Sequence, residues 1–160
     1  MKKIKNFFYT KIIAPVLSQL KQGISPHQLS LSLAAGFVLG SFPIIGPVTP
    51  MCLLVAFMFK LNHIAIQSAN YAAYPLQIAL LIPFYRAGEK LFGVDPIALN
   101  IQSILSEFQS SYMGAMEKYL MTGLRGVVVW LIVSPVAFLI TYKVSLLILQ
   151  RVMKQDKNIL

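Results

Sequence analysis

The chain is short of charge, and shorter still of acid. Charged residues make up 12% of its 160 positions, about half the usual share for a soluble domain. Only 5 are Asp or Glu, and none of these falls inside the long apolar runs. No carboxylate pair for general acid–base chemistry can be assembled there. A single cysteine, Cys52, excludes a disulfide framework and a thiol metal site. Lying in the apolar stretch MCLLVAF, it reads as a small buried side chain. No nucleophile–base spacing, metal-ligand cluster or glycine-rich phosphate loop occurs. The sequence therefore predicts no enzyme, no cofactor and no metal. The first residues do not make a cleavable leader either, because Lys11 interrupts IKNFFYTKIIAPVL and no small-residue cleavage site follows.

Apolar residues are abundant. They make up 57% of the chain, and the mean hydropathy is +0.70. From Gln22 to Phe59 there is no Lys, Arg, Asp or Glu, a run of about 38 residues where one bilayer crossing needs about 20. Leu61 to Tyr85 is a second uncharged run, and Gly126 to Tyr142 begins a third. Three such runs in a chain this short predict an integral membrane protein. The formal net charge of +9 suits that reading better than nucleic acid, for which no motif is present. Lys2, Lys3, Lys5, Lys11 and Lys21 crowd one terminus, and Arg151, Lys154 and Lys157 the other. Basic residues flanking membrane segments favour the cytoplasmic face and anionic lipid headgroups.

Periodicity divides the chain into five segments. Residues 1–21 place Ile4, Phe7, Phe8, Ile12, Ile13, Val16, Leu17 and Leu20 at helical steps among lysines, a basic amphipathic helix either on a headgroup surface or packed on the protein. Residues 25–60 begin with Ser25-Pro26, an N-cap followed by proline at the first helical position. The sequence GSFPIIGPVTP then interrupts the run, leaving about 15 residues before it and about 13 after, each too short to cross. Two half-helices forming a re-entrant hairpin fit that length. Residues 62–85, capped by Asn62, are long enough to cross, with a kink at Pro75. Residues 95–121 repeat the cap-plus-proline signal at Asp95-Pro96 and form a second amphipathic helix. Residues 123–150 form the last crossing. The expected fold class is thus all-α: a re-entrant helical hairpin, two transmembrane helices and two amphipathic interfacial helices in one membrane domain. Lys60 and the two termini hold ten of the basic residues, while 86–125 is balanced, which puts both termini and Lys60 in the cytoplasm.

Candidate functional residues follow from the break. Backbone that leaves the helix inside hydrocarbon strands N–H and C=O groups at several kcal/mol each, so it persists where protein or water satisfies it. Interrupted apolar segments often line binding sites, and half-helix N-termini attract anions. Phe42, Pro43, Gly46, Pro47 and Thr49 are candidates on this ground; alternatively, proline and glycine merely let the chain turn. Beside Asn62, the residues His63, Gln67, Asn70, Tyr74 and Gln77 recur at steps of four, three, four and three. Such a polar stripe faces protein rather than lipid. It forms either one wall of a hydrated groove or a set of interhelical hydrogen bonds. Arg86 and Lys90 at the membrane edge are candidate headgroup contacts or snorkelling anchors.

The pattern Gly23-x-Ser-Pro26, AAGFVLGSFPIIGPVT (Ala34 to Thr49), Leu61-Asn62, Ala69-Asn70, Pro83-Phe-Tyr85, Gly88 and Leu91-Phe92-Gly93 resembles a bacterial membrane family. It is catalogued as domain of unknown function two-zero-six-two. The resemblance covers about residues 22–93; Tyr74-Pro75 departs from it where Asn-Pro is more usual. It implies a bacterial inner-membrane location and, because members occur joined to glycosyltransferase-like domains, a connection with envelope glycans or their lipid carriers. It brings no catalytic residue. Two functions are expected on these grounds. One is binding or translocation of a lipid-linked or anionic envelope substrate. The other is a non-catalytic scaffold for a membrane-associated glycosyltransferase. Homo-oligomers are compatible with either.

Overall fold

The protein is described here by a computed structural model covering residues 24–157, with side chains through Val152. The expected helix over 1–21 lies outside the described residues. Every regular element among the described residues is helical: α1 (Pro26–Gly40), α2 (Val48–Met58), α3 (His63–Phe92), α4 (Ile101–Ser110) and α5 (Tyr112–Lys157).

Two helix starts use the expected caps. Ser25 Oγ accepts the Gln28 N–H at 3.2 Å, and Asn62 Oδ1 accepts the Ala65 N–H at 2.8 Å. Each satisfies one of the donors that a helix N-terminus leaves unpaired.

Register along the helices fixes their directions. Ser32 Oγ accepts the Asn62 N–H at 2.9 Å, Gly36 touches Ile66, and Gly40 touches Asn70 and Ala73. The contacts climb together, so α1 and α3 run parallel. On α5, Gly126 touches Tyr85, Trp130 meets Phe42, and Leu149 packs with Leu29 and Ala65. Those contacts descend along α3, so α5 is antiparallel to both.

Between α1 and α3 the chain must come back, and α2 brings it. Gln28 Nε2, at the start of α1, donates to the carbonyl of Lys60 at 3.0 Å. The outer ends of α1 and α2 therefore meet, closing residues 25–60 into a helical hairpin with the break at its tip.

The core is built on small residues. A Cβ on Gly36 would lie 2.1 Å from the Ile66 carbonyl oxygen, and one on Gly40 would lie 2.7 Å from Ala73 Cβ. Ser32, Gly36 and Gly40 share one face at four-residue steps, opposite buried Ala65, Ala69 and Ala73. Small side chains at this spacing let two helix backbones touch. At the other end Gly88 plays the same part against Arg125 and Gly126.

Three boundaries differ from expectation. α3 continues past Tyr85 to Phe92 and ends on Gly93, at φ +63°. Buried Phe84, Gly88 and Glu89 hold this last part, and Pro83 removes only one backbone bond from it. The fourth helix starts at Ile101, not after Asp95-Pro96, with Asn100 Oδ1 accepting the Ser103 N–H at 2.7 Å. The break between amphipathic segment and last crossing is at Ser111, so Tyr112–Met121 belong to α5. Gly123 and Gly126 lie within α5 and are buried, admitting Ile44 and Tyr85 respectively.

Candidate functional site at the helix break

The break is residues 41–47, and its Phe42, Pro43 and Ile44 carbonyls are claimed from the side by α3. Gln77 Nε2 donates to the carbonyls of Phe42 at 2.8 Å and Ile44 at 3.3 Å. The Tyr85 hydroxyl donates to the carbonyl of Pro43 at 2.8 Å. In the first turn of α2, the Thr49 carbonyl accepts from Gln67 Nε2 at 3.2 Å, and Asn70 Nδ2 braces Gln67 through its Oε1 at 3.3 Å. From α5, Trp130 Nε1 donates to Ser41 Oγ at 3.2 Å, and that hydroxyl donates onward to Val38 O at 2.7 Å. The Trp130 ring meets Phe42 edge-on at 5.1 Å and 86°, a geometry worth about 0.5–1.5 kcal/mol beyond burial.

The donors at the break are a different matter. Among the described residues no bond is made by the N–H groups of Ile44, Ile45, Gly46, Val48 or Thr49. Pro43, Pro47 and Pro50 contribute none. Ile45, Gly46 and Pro47 are exposed, and Gly46 sits at φ +119°, where a residue with a Cβ is strained. The carbonyls of Ser41, Ile45 and Gly46 also accept no bond among the described residues, so the hairpin tip has five free N–H groups against three free carbonyls.

The remaining candidates divide cleanly. Phe42 and Pro43 are buried under α3 and α5. Gln67, Asn70 and Gln77 reach the hairpin, and Gln77 is 3% exposed. Asn62 is a cap and a tie to Ser32. His63 is exposed and Tyr74 is half-exposed on the flank of α3. Arg86 Nη1 pairs with Glu89 Oε2 at 2.7 Å, and its Nη2 donates to the Ile97 carbonyl at 3.0 Å. Lys90 stands exposed. An apolar groove of about 270 Å³ opens elsewhere, between Ala35, Val38 and Leu39 of α1 and Ser134, Pro135 and Phe138 of α5.

Three participants were not singled out from sequence: Ser41, Tyr85 and Trp130. Tyr85 continues the polar stripe eight residues beyond Gln77, and that spacing was readable. Glu89 is 1% exposed and uses both oxygens, its Oε1 accepting the Ile97 N–H at 3.0 Å. It stands just outside an apolar run, where charge marks the end of a span and gives no sign of burial.

Compared with known protein families, residues 11–158 match the family described as "Uncharacterized protein conserved in bacteria (DUF2062)". The chain belongs to this family. No curated protein and no solved structure matches it. The match extends the resemblance seen over 22–93 across α4 and α5. The structure gives the motif residues physical roles in this member. Gly36 and Gly40 are the close approach of α1 to α3, Phe42-Pro43 is the clamped part of the break, and Asn62 is the cap of α3. Gly88 is the crossing with α5.

Proposed function

We infer that this family member is a multi-pass protein of the bacterial inner membrane that binds or translocates a lipid-linked or anionic envelope substrate, whose polar head contacts the break. In this reading α3 and α5 cross the bilayer, the hairpin 25–60 re-enters from the cytoplasmic side, and α4 lies at the opposite interface. Several observations support embedding. α5 is long and apolar enough to span, and only 17% of its most apolar stretch is buried. A core helix of a soluble protein would be mostly covered. Phe57 and Ile132 are 79% and 64% exposed, on helices where lipid would cover them. The Gln28–Lys60 bond supports re-entry because it returns the chain to its starting level.

The observation that carries the substrate reading is the surplus of unpaired N–H groups at the break, those of Ile44, Ile45, Gly46, Val48 and Thr49, over the unpaired carbonyls of Ser41, Ile45 and Gly46. Side chains of α3 take the carbonyls of Phe42, Pro43 and Ile44, while the exposed Ile45 and Gly46 keep their N–H groups free. Spare donors at a half-helix start favour phosphate, carboxylate or sugar oxygens over cations. The test is native mass spectrometry of the full chain, extracted with its membrane, together with retention on vesicles with and without an anionic polyprenyl phosphate. The expected result is a co-purifying acceptor-rich lipid whose binding is lost in Gly46→Leu while the variant still folds and inserts. A lipid-free protein with no preference for the polyprenyl phosphate would overturn the reading.

One observation favours the scaffold alternative. Ile101 and Leu105 of α4 and Met113 and Leu120 of α5 are exposed, a ready docking face for a glycosyltransferase. A scaffold would keep its partner's activity in Gly46→Leu and lose it in an Ile101→Ser, Leu105→Ser double variant.

A further inference from the structure

We propose that the outer flank of α3, centred on Tyr71 and Tyr74, pairs with the same flank of a second copy of this chain. The proposal rests on the membrane reading above.

Tyr71 is 61% and Tyr74 49% exposed, and neither hydroxyl has a hydrogen-bond partner among the described residues. Counting from Asn62, their Cα atoms lie about 13 Å and about 18 Å along the helix axis, well inside a hydrocarbon core about 30 Å thick. Pro75, next in sequence, has no N–H, so the carbonyl of Tyr71 loses its usual helical donor. Two phenolic donors and one freed carbonyl acceptor therefore share an exposed face at membrane depth, where unsatisfied polar groups are costly.

Donors beside an acceptor make the face complementary to itself. In a two-fold pair the hydroxyls of one copy reach the Tyr71 carbonyl of the other, and each contact is made twice. No charged side chain lies on this stretch, so like-charge repulsion does not oppose the pairing. Ile78 and Ile82 extend the face and are also exposed. At 100° per residue Gln67 and Tyr85 lie on one line along α3, with Tyr71 and Tyr74 within about 40° on either side of it; Tyr85 bonds Pro43 in the break and Gln67 bonds Thr49 at the start of α2. The interface would therefore border the site of substrate contact.

The experiment counts subunits of the unsubstituted full chain in lipid nanodiscs. It then oxidises single-cysteine variants in native membranes, in a Cys52→Ala background. Two copies per particle are expected, with disulfide dimers from Tyr71→Cys and Tyr74→Cys but not from Ile132→Cys on α5. Combining Tyr71→Phe with Tyr74→Phe should weaken association roughly tenfold, since interhelical bonds are lost in both copies. Single copies, or equal cross-linking from Ile132→Cys, overturn the proposal. So does a monomer in which residues 1–21 or a co-purifying lipid shield Tyr74→Cys from a lipid-soluble maleimide. A chain that alkaline carbonate strips from the membrane defeats the membrane reading itself, whereas an embedded monomer defeats only the pairing.

Discussion

At the scale of residues, two glycines of the hairpin are constrained for opposite reasons. At Gly36 the obstacle is space: a Cβ would sit 2.1 Å from the backbone oxygen of Ile66, and only separation of α1 from α3 relieves it. At Gly46 space is free, and the obstacle is φ +119°. Gly36→Ala is expected to cost several kcal/mol or prevent folding, because overpacking of even small groups costs about 1–3 kcal/mol and this contact is with backbone. Gly46→Ala should cost about 1–3 kcal/mol of conformational strain while leaving the helix packing intact. Thermal unfolding in detergent, with a cross-link between α1 and α3 as the packing probe, separates the two. Gln77 gives a third residue-level case. Gln77→Leu keeps the volume but strands the carbonyls of Phe42 and Ile44, at about 1–3 kcal/mol for each buried group left unpaired. Gln77→Glu, an acceptor facing acceptors, should be worse, and the same melting experiment ranks them. If Gln77→Leu unfolds at the parent's temperature, the clamp is dispensable.

At the scale of elements, the strap between α3 and α4 has one fastening. Glu89 holds the Ile97 N–H and Arg86, and Arg86 holds the Ile97 carbonyl. Residues 94–99 are therefore pinned in a non-helical path beside α3. Glu89→Ala removes the pin without touching the contacts of α1, α3 and α5 around the break. Proteolysis within 94–100 should become at least about tenfold faster, the ratio for about 1.4 kcal/mol of lost local stability, with the unfolding temperature of the bundle little changed. Equal cleavage rates in parent and variant would show that the strap is held otherwise. This fastening also explains what could be read from the chain alone. The caps at Ser25 and Asn62 were legible because each acts on its own next turn. The break at 41–47 was legible because proline and glycine act locally. Asp95-Pro96 carries the same local signal, yet no helix starts there: a buried carboxylate several residues upstream takes the Ile97 backbone instead. The polar stripe was legible as a stripe. Its partners were not, since Gln77 meets Phe42 and Trp130 meets Ser41 across separations that no periodicity encodes. Nor could spacing distinguish Tyr74, which turns outward, from Asn70 and Gln77, which turn in.

At the scale of the whole molecule, parallel α1 and α3 with antiparallel α5 sort the charges onto two ends. One end holds Lys60, joined to Gln28, and the final turns of α5 with Arg151, beyond the contact of Leu149 with Ala65. It carries no acid among residues with described side chains. The other end holds the crossing of Gly88 with Arg125, the strap and α4. There Arg86 is neutralised by Glu89 at 2.7 Å and Lys118 by Glu107 at 2.6 Å. Uncompensated basic residues favour the cytoplasmic face, so in the proposed membrane reading the first end lies on that side. Single cysteines at Lys60 and Arg151, in a Cys52→Ala background, should react with an impermeant maleimide only after the inner membrane is opened. Cysteines at Lys90 and Glu117, both exposed, should react in cells whose outer membrane alone is permeable. A two-crossing chain with a re-entrant hairpin gives that pattern. If Lys60→Cys reacts together with Lys90→Cys, residues 25–60 pass through the bilayer instead of returning. The exposed tip would then lose its place as a site reached from within the membrane.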